Sequence, residues 1–441
     1  MKIAVVGTGY VGLVTGVVLA SLGNDVVCVD KDAEKLARIA LGQAPIYEPG
    51  LEELIQRSLS DGYLRVSESI VESTRASDIV FIAVGTPAAA DGSPDLTAVR
   101  EVAAEIAAGI DSYTVVVNKS TVPVGSGDLV ANIILGQGVP ADCFDVVSNP
   151  EFLREGSAIR DTLEPDRIVI GAKSKAAADR LVELYAPLGR PTFITDLNTA
   201  ELIKYASNSF LALKISFINA LSQICEACGA DVGDAAAGIG ADARIGGSFL
   251  HAGLGWGGSC FPKDVRGMIA TSQQFGYDFK LLREVIHIND SQVARLLDRL
   301  DKRLGGFAGK KVALLGLAFK ANTDDIREAR SLLLIDHILS RGGSVQACDP
   351  VAIDVVRRVF PDVTYCQTPY EAVTGADAAI VVTEWNEFKQ LDLKRIAGLM
   401  RRPIMFDGRR IYTRDKAERA GLEYFAIGST SPSGQAARES A

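Results

Sequence analysis

Residues 2–30 read KIAVVGTGYVGLVTGVVLASLGNDVVCVD, and the order of that stretch decides the fold. A short apolar strand breaks into G-x-G-x-x-G at Gly7, Gly9 and Gly12, an apolar-periodic helix follows, and a second apolar strand ends on Asp30. This is a βαβ unit of the dinucleotide-binding kind. The first glycine allows the tight turn, the second lets backbone approach a pyrophosphate, and the third lets the helix pack on the strand. The helix start offers N–H donors to the anion. Asp30 is placed to accept from a ribose 2′-hydroxyl and to repel a 2′-phosphate, which favours NAD over NADP.

Working outward, short apolar runs recur at 78–87 (DIVFIAVGTP), 114–125 (TVVVNKSTVPVG) and 145–152 (DVVSNPEF). Each ends in polar or Gly/Pro residues, and ligands bind at such strand ends in open parallel sheets. Thr86, Thr121 and Glu151 are therefore placed to meet a cofactor or substrate, although any one of them alone reads equally as loop punctuation. From Asn198 to about Gly229 the chain has no proline and no internal glycine. It reads as one long helix with Asn198 and Glu201 as a capping box, and as a spine between two lobes with Lys204 and Asn208 on one face. Near residue 310 a second lobe repeats strand, glycine turn, helix and strand, ending on Asp349. Only Gly316 survives of the glycine pattern, which argues against a second dinucleotide site; a nucleotide diphosphate with Lys320 and Arg327 as countercharges stays compatible.

A chain of 441 residues with 48% hydrophobic content has material for more than one core. Net charge is −9, and no Lys/Arg block with interleaved aromatics is present, so nucleic acid is not an expected partner. The first residues read as a strand and not a secretory signal, and no uninterrupted apolar run reaches the roughly 18 residues that span a bilayer, so a cytoplasmic location is expected. Seven scattered cysteines imply reduced thiols, and the three histidines are too far apart for a zinc pattern. The C-x-x-C at Cys225 and Cys228 reads as packing.

One cysteine stands out. GWGGSCFPKD (255–264) places Cys260 two residues before Pro262, a residue suited to a first helical turn. The helix start and Lys263 would both favour thiolate, and Gly255, Gly257 and Gly258 would leave the sulfur open to a substrate. On composition alone a buried cysteine in a glycine turn is the commoner outcome.

GYVGL, GTP, KSTVPVG, NPEFLREGSA, PDRIVIG, AELIKYASNSFLALKISFIN, RIGGSFLHAGLGWGGSCFPKD, GLAFKANTDDIRE and FDGRR occur in this order across nearly the whole chain. Together they resemble the UDP-glucose/GDP-mannose dehydrogenase family, in its UDP-glucose 6-dehydrogenase branch. The resemblance implies two Rossmann-like, doubly wound parallel-sheet α/β domains joined by a long central helix, assembled as a homodimer. It divides the chain into an NAD-binding domain (1–197), a central helical and dimerisation region with the cysteine loop (198–308), a UDP-sugar domain (309–429) and a disordered tail (430–441). It implies NAD as cofactor and a four-electron oxidation of UDP-glucose to UDP-glucuronate, with Cys260 carrying thiohemiacetal and thioester intermediates.

Roles carry over where the motifs match. Lys204 and Asn208 would hold the developing oxyanion, Thr121, Glu155 and Asp264 would position or activate water, and Glu151 would bind substrate or assist as acid or base. The cofactor set is Gly7, Gly9, Tyr10, Val11, Gly12, Asp30, Lys35, Thr86, Thr121, Glu155, Lys263 and Arg327. The substrate set is Glu151, Phe152, Leu153, Lys204, Asn208, Arg244, Phe249, Gly253, Gly257, Cys260, Lys320 and one of Arg409 and Arg410, with Arg244 reaching across the dimer. No metal is implied. Trp256 stands where many members have Phe. The competing expectations are the same chemistry on GDP-mannose or an N-acetylated UDP-hexose, a single-step hydroxyacid dehydrogenase that needs no thiol, and a sugar-nucleotide sensor that has lost catalysis.

Overall fold

Strand β1 (Lys2–Val6) sends Ile3 and Val5 into one core and Ala4 and Val6 into another, so the sheet it belongs to is covered on both faces. A computed structural model describes residues 1–89 and 92–429; the tail expected at 430–441 lies outside the described residues. The chain forms two compact units, the first of Met1–Ser207 with Arg266–Tyr277, the second of Asn208–Val265 with the residues from Asp278 onward.

In the first unit, β1 is joined by β2 (Asp25–Val29), β3 (Leu64–Ser67), β4 (Ile79–Ile82), β5 (Thr114–Asn118), β6 (Phe144–Ser148), β7 (Ile168–Ala172) and β8 (Thr192–Thr195). Their order is β3-β2-β1-β4-β5-β6-β7-β8. The first six strands have the dinucleotide-binding order, with the switch point between β1 and β4. One pairing departs from the expected all-parallel sheet: β7 runs antiparallel to β6. The connection between them, residues 149–167, holds one short helix, Ala158–Leu163. Because β7 starts where β6 finishes and runs back alongside it, the chain never returns to the other end of the sheet between them. The connecting segment from Asn149 therefore stays at the carboxyl end of β6, beside the ligand edge of the sheet.

The second unit repeats the plan with β9 (Lys311–Leu315), β10 (Ser344–Cys348), β11 (Thr364–Tyr365), β12 (Ala378–Val381), β13 (Ile404–Asp407) and β14 (Glu423–Ala426), all parallel, in the order β11-β10-β9-β12-β13-β14. The echo extends to the turns. Gly7 has φ +103° and donates its N–H to Val29; Gly316 has φ +102° and donates to Cys348. Asp349, the counterpart of Asp30, accepts from the N–H groups of Leu317, Ala318, Val351 and Ala352 and from the Trp385 indole.

The long helix spans Leu197–Cys228, as expected within a residue at each end. Its cap is different from the expected box. Asp196 accepts from the Thr199 N–H and hydroxyl, while Glu201 points into the first unit and accepts from Gly125 N, Gly127 N and the Ser148 hydroxyl at 2.7–2.9 Å. By length and composition this helix could cross a membrane, although polar residues interrupt its apolar runs. Glu201, Lys204, Asn208, Ser216, Asn219 and Ser222 along it are all buried, the pattern of a helix packed among protein and not lipid.

Candidate active site

In the first unit the three glycines of the opening turn have three distinct surroundings. A Cβ on Gly7 would strike the Ala83 carbonyl at 2.7 Å, and one on Gly12 would overlap the Gly7 carbonyl oxygen, whereas one on Gly9 would meet nothing within 4 Å. Gly9 is also the N-cap of the helix Tyr10–Ser21 and makes no side-chain cap. Uncapped N–H donors beside open space at Gly9 fit a pyrophosphate. Asp30 is held in place by the Thr8 N–H and hydroxyl, both at 2.7 Å, and these bonds with the Asp32 N–H draw its carboxyl below the usual range against the opposing effect of burial. Lys35 is half-exposed and lies 3.6 Å from Asp32. Thr86 donates to the Thr121 carbonyl at 2.8 Å, tying the ends of β4 and β5 together.

Glu151, Phe152, Leu153 and Glu155 lie on the segment after β6. Glu151 and Lys204 are both buried and form an ion pair at 2.8 Å, and Glu151 also accepts from the Leu153 N–H. The Arg167 guanidinium stacks 3.7 Å from the Phe152 ring centroid. Behind them is a residue that sequence reading did not single out. Lys119 is buried, donates to Asn149 Oδ1 at 2.9 Å, and is pushed down to about 8, chiefly by burial. The nearby Glu151 charge opposes that shift and the Lys204 charge adds to it.

In the second unit Cys260 immediately precedes the helix Phe261–Gln274, as expected, with the Ser259 hydroxyl 3.4 Å from its sulfur. Asp264, one turn later and fully buried, accepts from Asn208 Nδ2 at 2.6 Å and pairs with Lys263 at 2.5 Å. Lys263, expected to act on the thiol and the cofactor, thus directs its ammonium at Asp264.

The glycines around the thiol also have a packing reason. A Cβ on Gly255 would meet Asn289 Oδ1 at 2.5 Å, one on Gly257 the Glu328 carbonyl oxygen at 2.3 Å, and one on Gly258 the Phe319 ring at 2.6 Å. Close packing of the protein on itself forbids side chains there. The same approach brings substrate-set residues together. The loop 249–258 lies against the segment carrying Phe319, Lys320 and Arg327, and a Cβ on Gly253 would lie 3.7 Å from Arg409. Phe249, with φ +65°, stands 6.3 Å from Phe261. Arg327 pairs with Asp325 at 2.7 Å. Arg244 is set apart, paired with Asp242 and 88% exposed.

Asn219, Asn289 and Arg330 also escaped sequence reading, yet they fix that loop. Asn219 accepts from Gly253 N, Asn289 exchanges two bonds with the Trp256 backbone, and Arg330 donates to the Trp256 carbonyl. The Trp256 indole donates to Ser216 at 3.0 Å. A Phe has no such donor, so this tryptophan is satisfied inside the fold. Their partners lie 33 to 74 residues away, and no local pattern marks them.

A dinucleotide turn ending in an acidic residue, in a chain that also carries a thiol at a helix start, defines an NAD-dependent oxidoreductase. Comparison with known proteins narrows this. Models of the UDP-glucose/GDP-mannose dehydrogenase family match as its NAD binding domain over residues 1–189, its central domain over 198–291 and its UDP binding domain over 313–414. The chain belongs to that family. It is 48% identical over 429 residues to UDP-glucose 6-dehydrogenase YwqF of Bacillus subtilis, covering 97% of this chain and 98% of that protein. Among solved structures it is similar to a UDP-glucose dehydrogenase from Pyrobaculum islandicum, with a TM-score of 0.91, 41% identity and 97% of each chain covered. It is also similar to a UDP-D-ManNAc dehydrogenase from Pyrococcus horikoshii, with a TM-score of 0.86 and 30% identity over 97% of this chain and 99% of that one.

Proposed function

We propose that the protein oxidises UDP-glucose to UDP-glucuronate, using two NAD+ and one water, with Cys260 as the covalent carrier. The observation that carries this reading is the buried Asp264–Asn208 pair one helical turn beyond Cys260. A binding module has no use for a thiol at a helix start followed by a buried acid.

NAD+ supplies the hydride acceptor at both oxidations. Loss of hydride from C6 and of the hydroxyl proton gives an aldehyde. The Cys260 thiolate adds to its carbon, and the carbonyl oxygen becomes the oxyanion of a thiohemiacetal. Lys204, paired with Glu151 at 2.8 Å, and Asn208 are assigned to that oxyanion. A second hydride loss leaves a thioester. Water adds to its carbonyl, the C–S bond breaks, and the acid and free thiolate result. Thr121, Glu155 and Asp264 are assigned to the water, and Glu151 to substrate and proton transfer.

On the substrate side Arg409 is assigned the sugar nucleotide in preference to Arg410. Arg410 is committed to Asp231 through bonds of 2.7 and 2.8 Å, whereas Arg409 lies beside Gly253 and donates to the Phe319 carbonyl next to Lys320. UDP-glucose is favoured over related sugar nucleotides by the higher identity to the UDP-glucose enzymes, 48% and 41%, than to the UDP-D-ManNAc enzyme, 30%. We further assign a homodimer and a cytoplasmic location. Phe210, Phe217 and Ile224 recur every seven residues on the long helix and are 61%, 53% and 61% exposed, an apolar stripe that a second copy would cover. Lys214 on the same helix holds the Ile245 and Gly246 carbonyls, which fastens the Arg244 turn beside the stripe.

The test is a steady-state assay scoring NADH per sugar consumed, run on UDP-glucose, GDP-mannose and N-acetylated UDP-hexoses. Two NADH per UDP-glucose, with UDP-glucose preferred, is the expected result. One NADH per sugar would refute the thioester route, and preference for another sugar nucleotide would refute the substrate.

A further inference from the structure

The turn Ile46–Tyr47–Glu48–Pro49–Gly50 has no part in the chemistry above, yet it carries a buried carboxylate whose partners are far apart in sequence. Glu48 is 6% exposed. Its Oε1 accepts from Ala158 N at 2.7 Å, and its Oε2 from Gly156 N at 2.6 Å and from the Tyr10 hydroxyl. The Gly156 N–H also lies 3.1 Å from the Tyr10 oxygen. Burial together with the Glu48 hydrogen bond holds the Tyr10 hydroxyl well above its ordinary pKa, so it stays protonated and able to donate.

These contacts join two parts of the first unit. Tyr10 is the first residue of the helix that follows Gly9, so it stands at the cofactor turn. Gly156, with φ +82°, closes the segment that bears Glu151, Phe152, Leu153 and Glu155, and Ala158 opens the next helix. A second fastening of that segment, Arg154 to Asp161 at 2.7 Å, is largely exposed on its arginine side and makes no contact with Tyr10. Glu48 accepts from both the cofactor turn and the substrate segment. A buried carboxylate with three donors has one low-energy arrangement, so a shift of Tyr10 must be matched at Gly156 or leave a buried charge underbonded.

We propose that Glu48 is a positioning residue that couples the cofactor turn to the substrate segment 149–157, so that occupation of one raises the affinity of the other. The coupling is reciprocal, because linkage requires each ligand to change the other's affinity by the same factor. The form of the proposal that names UDP-glucose rests on the reading of function given above.

Calorimetric titration of UDP-glucose into the enzyme with and without saturating NADH tests it. The wild type is expected to bind UDP-glucose at least about fivefold more tightly with NADH, and Glu48→Gln, which keeps size but turns one acceptor into a donor, is expected to bring that ratio close to one. Tyr10→Phe, which removes one oxygen, is expected to lose the same coupling, and the double variant to lose no more than either single one. Asp161→Asn, which loosens the segment from its other side, is expected to keep the coupling. A purely structural role for Glu48 would lower the melting temperature and leave the ratio unchanged. No coupling in the wild type, or wild-type coupling in Glu48→Gln, overturns the proposal; if that variant does not fold, Tyr10→Phe decides. Should the wild type fail to bind UDP-glucose, the substrate reading falls, and tryptic cleavage after Arg154 decides on Glu48 with NADH alone. Protection by NADH in the wild type that is lost in Glu48→Gln supports the coupling. Equal protection in both, or none in the wild type, overturns it.

Discussion

Replacing Lys119 by methionine should make the enzyme more stable at neutral pH. The ammonium is buried, and its pKa falls from the ordinary 10.5 to about 8. At about 1.4 kcal/mol per pH unit between folded and unfolded values, keeping the charged form in the fold costs about 3 kcal/mol at pH 7. Between pH 8 and 10.5 the unfolded chain holds the proton that the folded chain has released, so stability gained from this group rises with pH. The penalty is down to about 1 kcal/mol by pH 10. Methionine has a similar volume and carries no charge. Removing the ammonium does not orphan its acceptor, because Asn149 Oδ1 still receives the Tyr185 hydroxyl at 2.7 Å. Allowing about 1 kcal/mol for the lost hydrogen bond, Lys119→Met gains about 2 kcal/mol at pH 7. The advantage over wild type should fall by about 2 kcal/mol between pH 7 and pH 10. Guanidinium unfolding of both proteins at the two pH values measures this. A variant less stable than wild type at pH 7, or a difference between the two that does not change with pH, would show that burial does not penalise Lys119.

Cys260→Ser should still bind UDP-glucose and form no UDP-glucuronate; sustained turnover at the wild-type rate would sink the covalent route. Asp264→Asn presents an amide to the Lys263 ammonium in place of a carboxylate at 2.5 Å, and kcat should fall by about 10²-fold or more; an unchanged kcat would remove Asp264 from the hydrolytic step. Gly257→Ala places a Cβ 2.3 Å from a backbone oxygen of Glu328, so a loss of about 1–3 kcal/mol is expected in thermal unfolding, and a wild-type melting temperature would contradict the packing reason for that glycine. Phe217→Glu puts a charge in the middle of the exposed stripe and should shift the mass seen by light scattering toward a single chain; an unshifted dimer would mean that the stripe is not the contact.

How much of this was written in the sequence depends on distance along the chain. Gly7, Gly9, Gly12 and Asp30 were legible because their spacing is local and each position has its own steric demand, and the surroundings of the three glycines match those demands one by one. The start of a helix just after Cys260 was legible for the same reason, from Pro262. The packing role of Gly255, Gly257 and Gly258 was not legible, because the atoms that exclude a Cβ there belong to Asn289, Glu328 and Phe319, tens of residues away. Glu201 likewise looked like half of a local cap, and its real partners are 53 to 76 residues upstream. Glu48, Lys119 and Asn289 carry no local signal, since a buried polar residue is recognised only by what surrounds it.

The duplicated turn bears on how the proposed four-electron oxidation can proceed. Asp30 spends its oxygens on the Thr8 and Asp32 groups and remains partly exposed, whereas Asp349 is closed off by four backbone donors and the Trp385 indole. The second copy has turned its acid into an internal strut, which leaves Asp30, of the two, open to a ribose. On the proposed reaction that single seat has to be filled twice per sugar. The first NADH must depart and a fresh NAD+ arrive while the half-oxidised sugar waits, and an aldehyde left loose during the exchange would be lost to solvent. On that reading, a tether on sulfur is what lets one seat serve both steps.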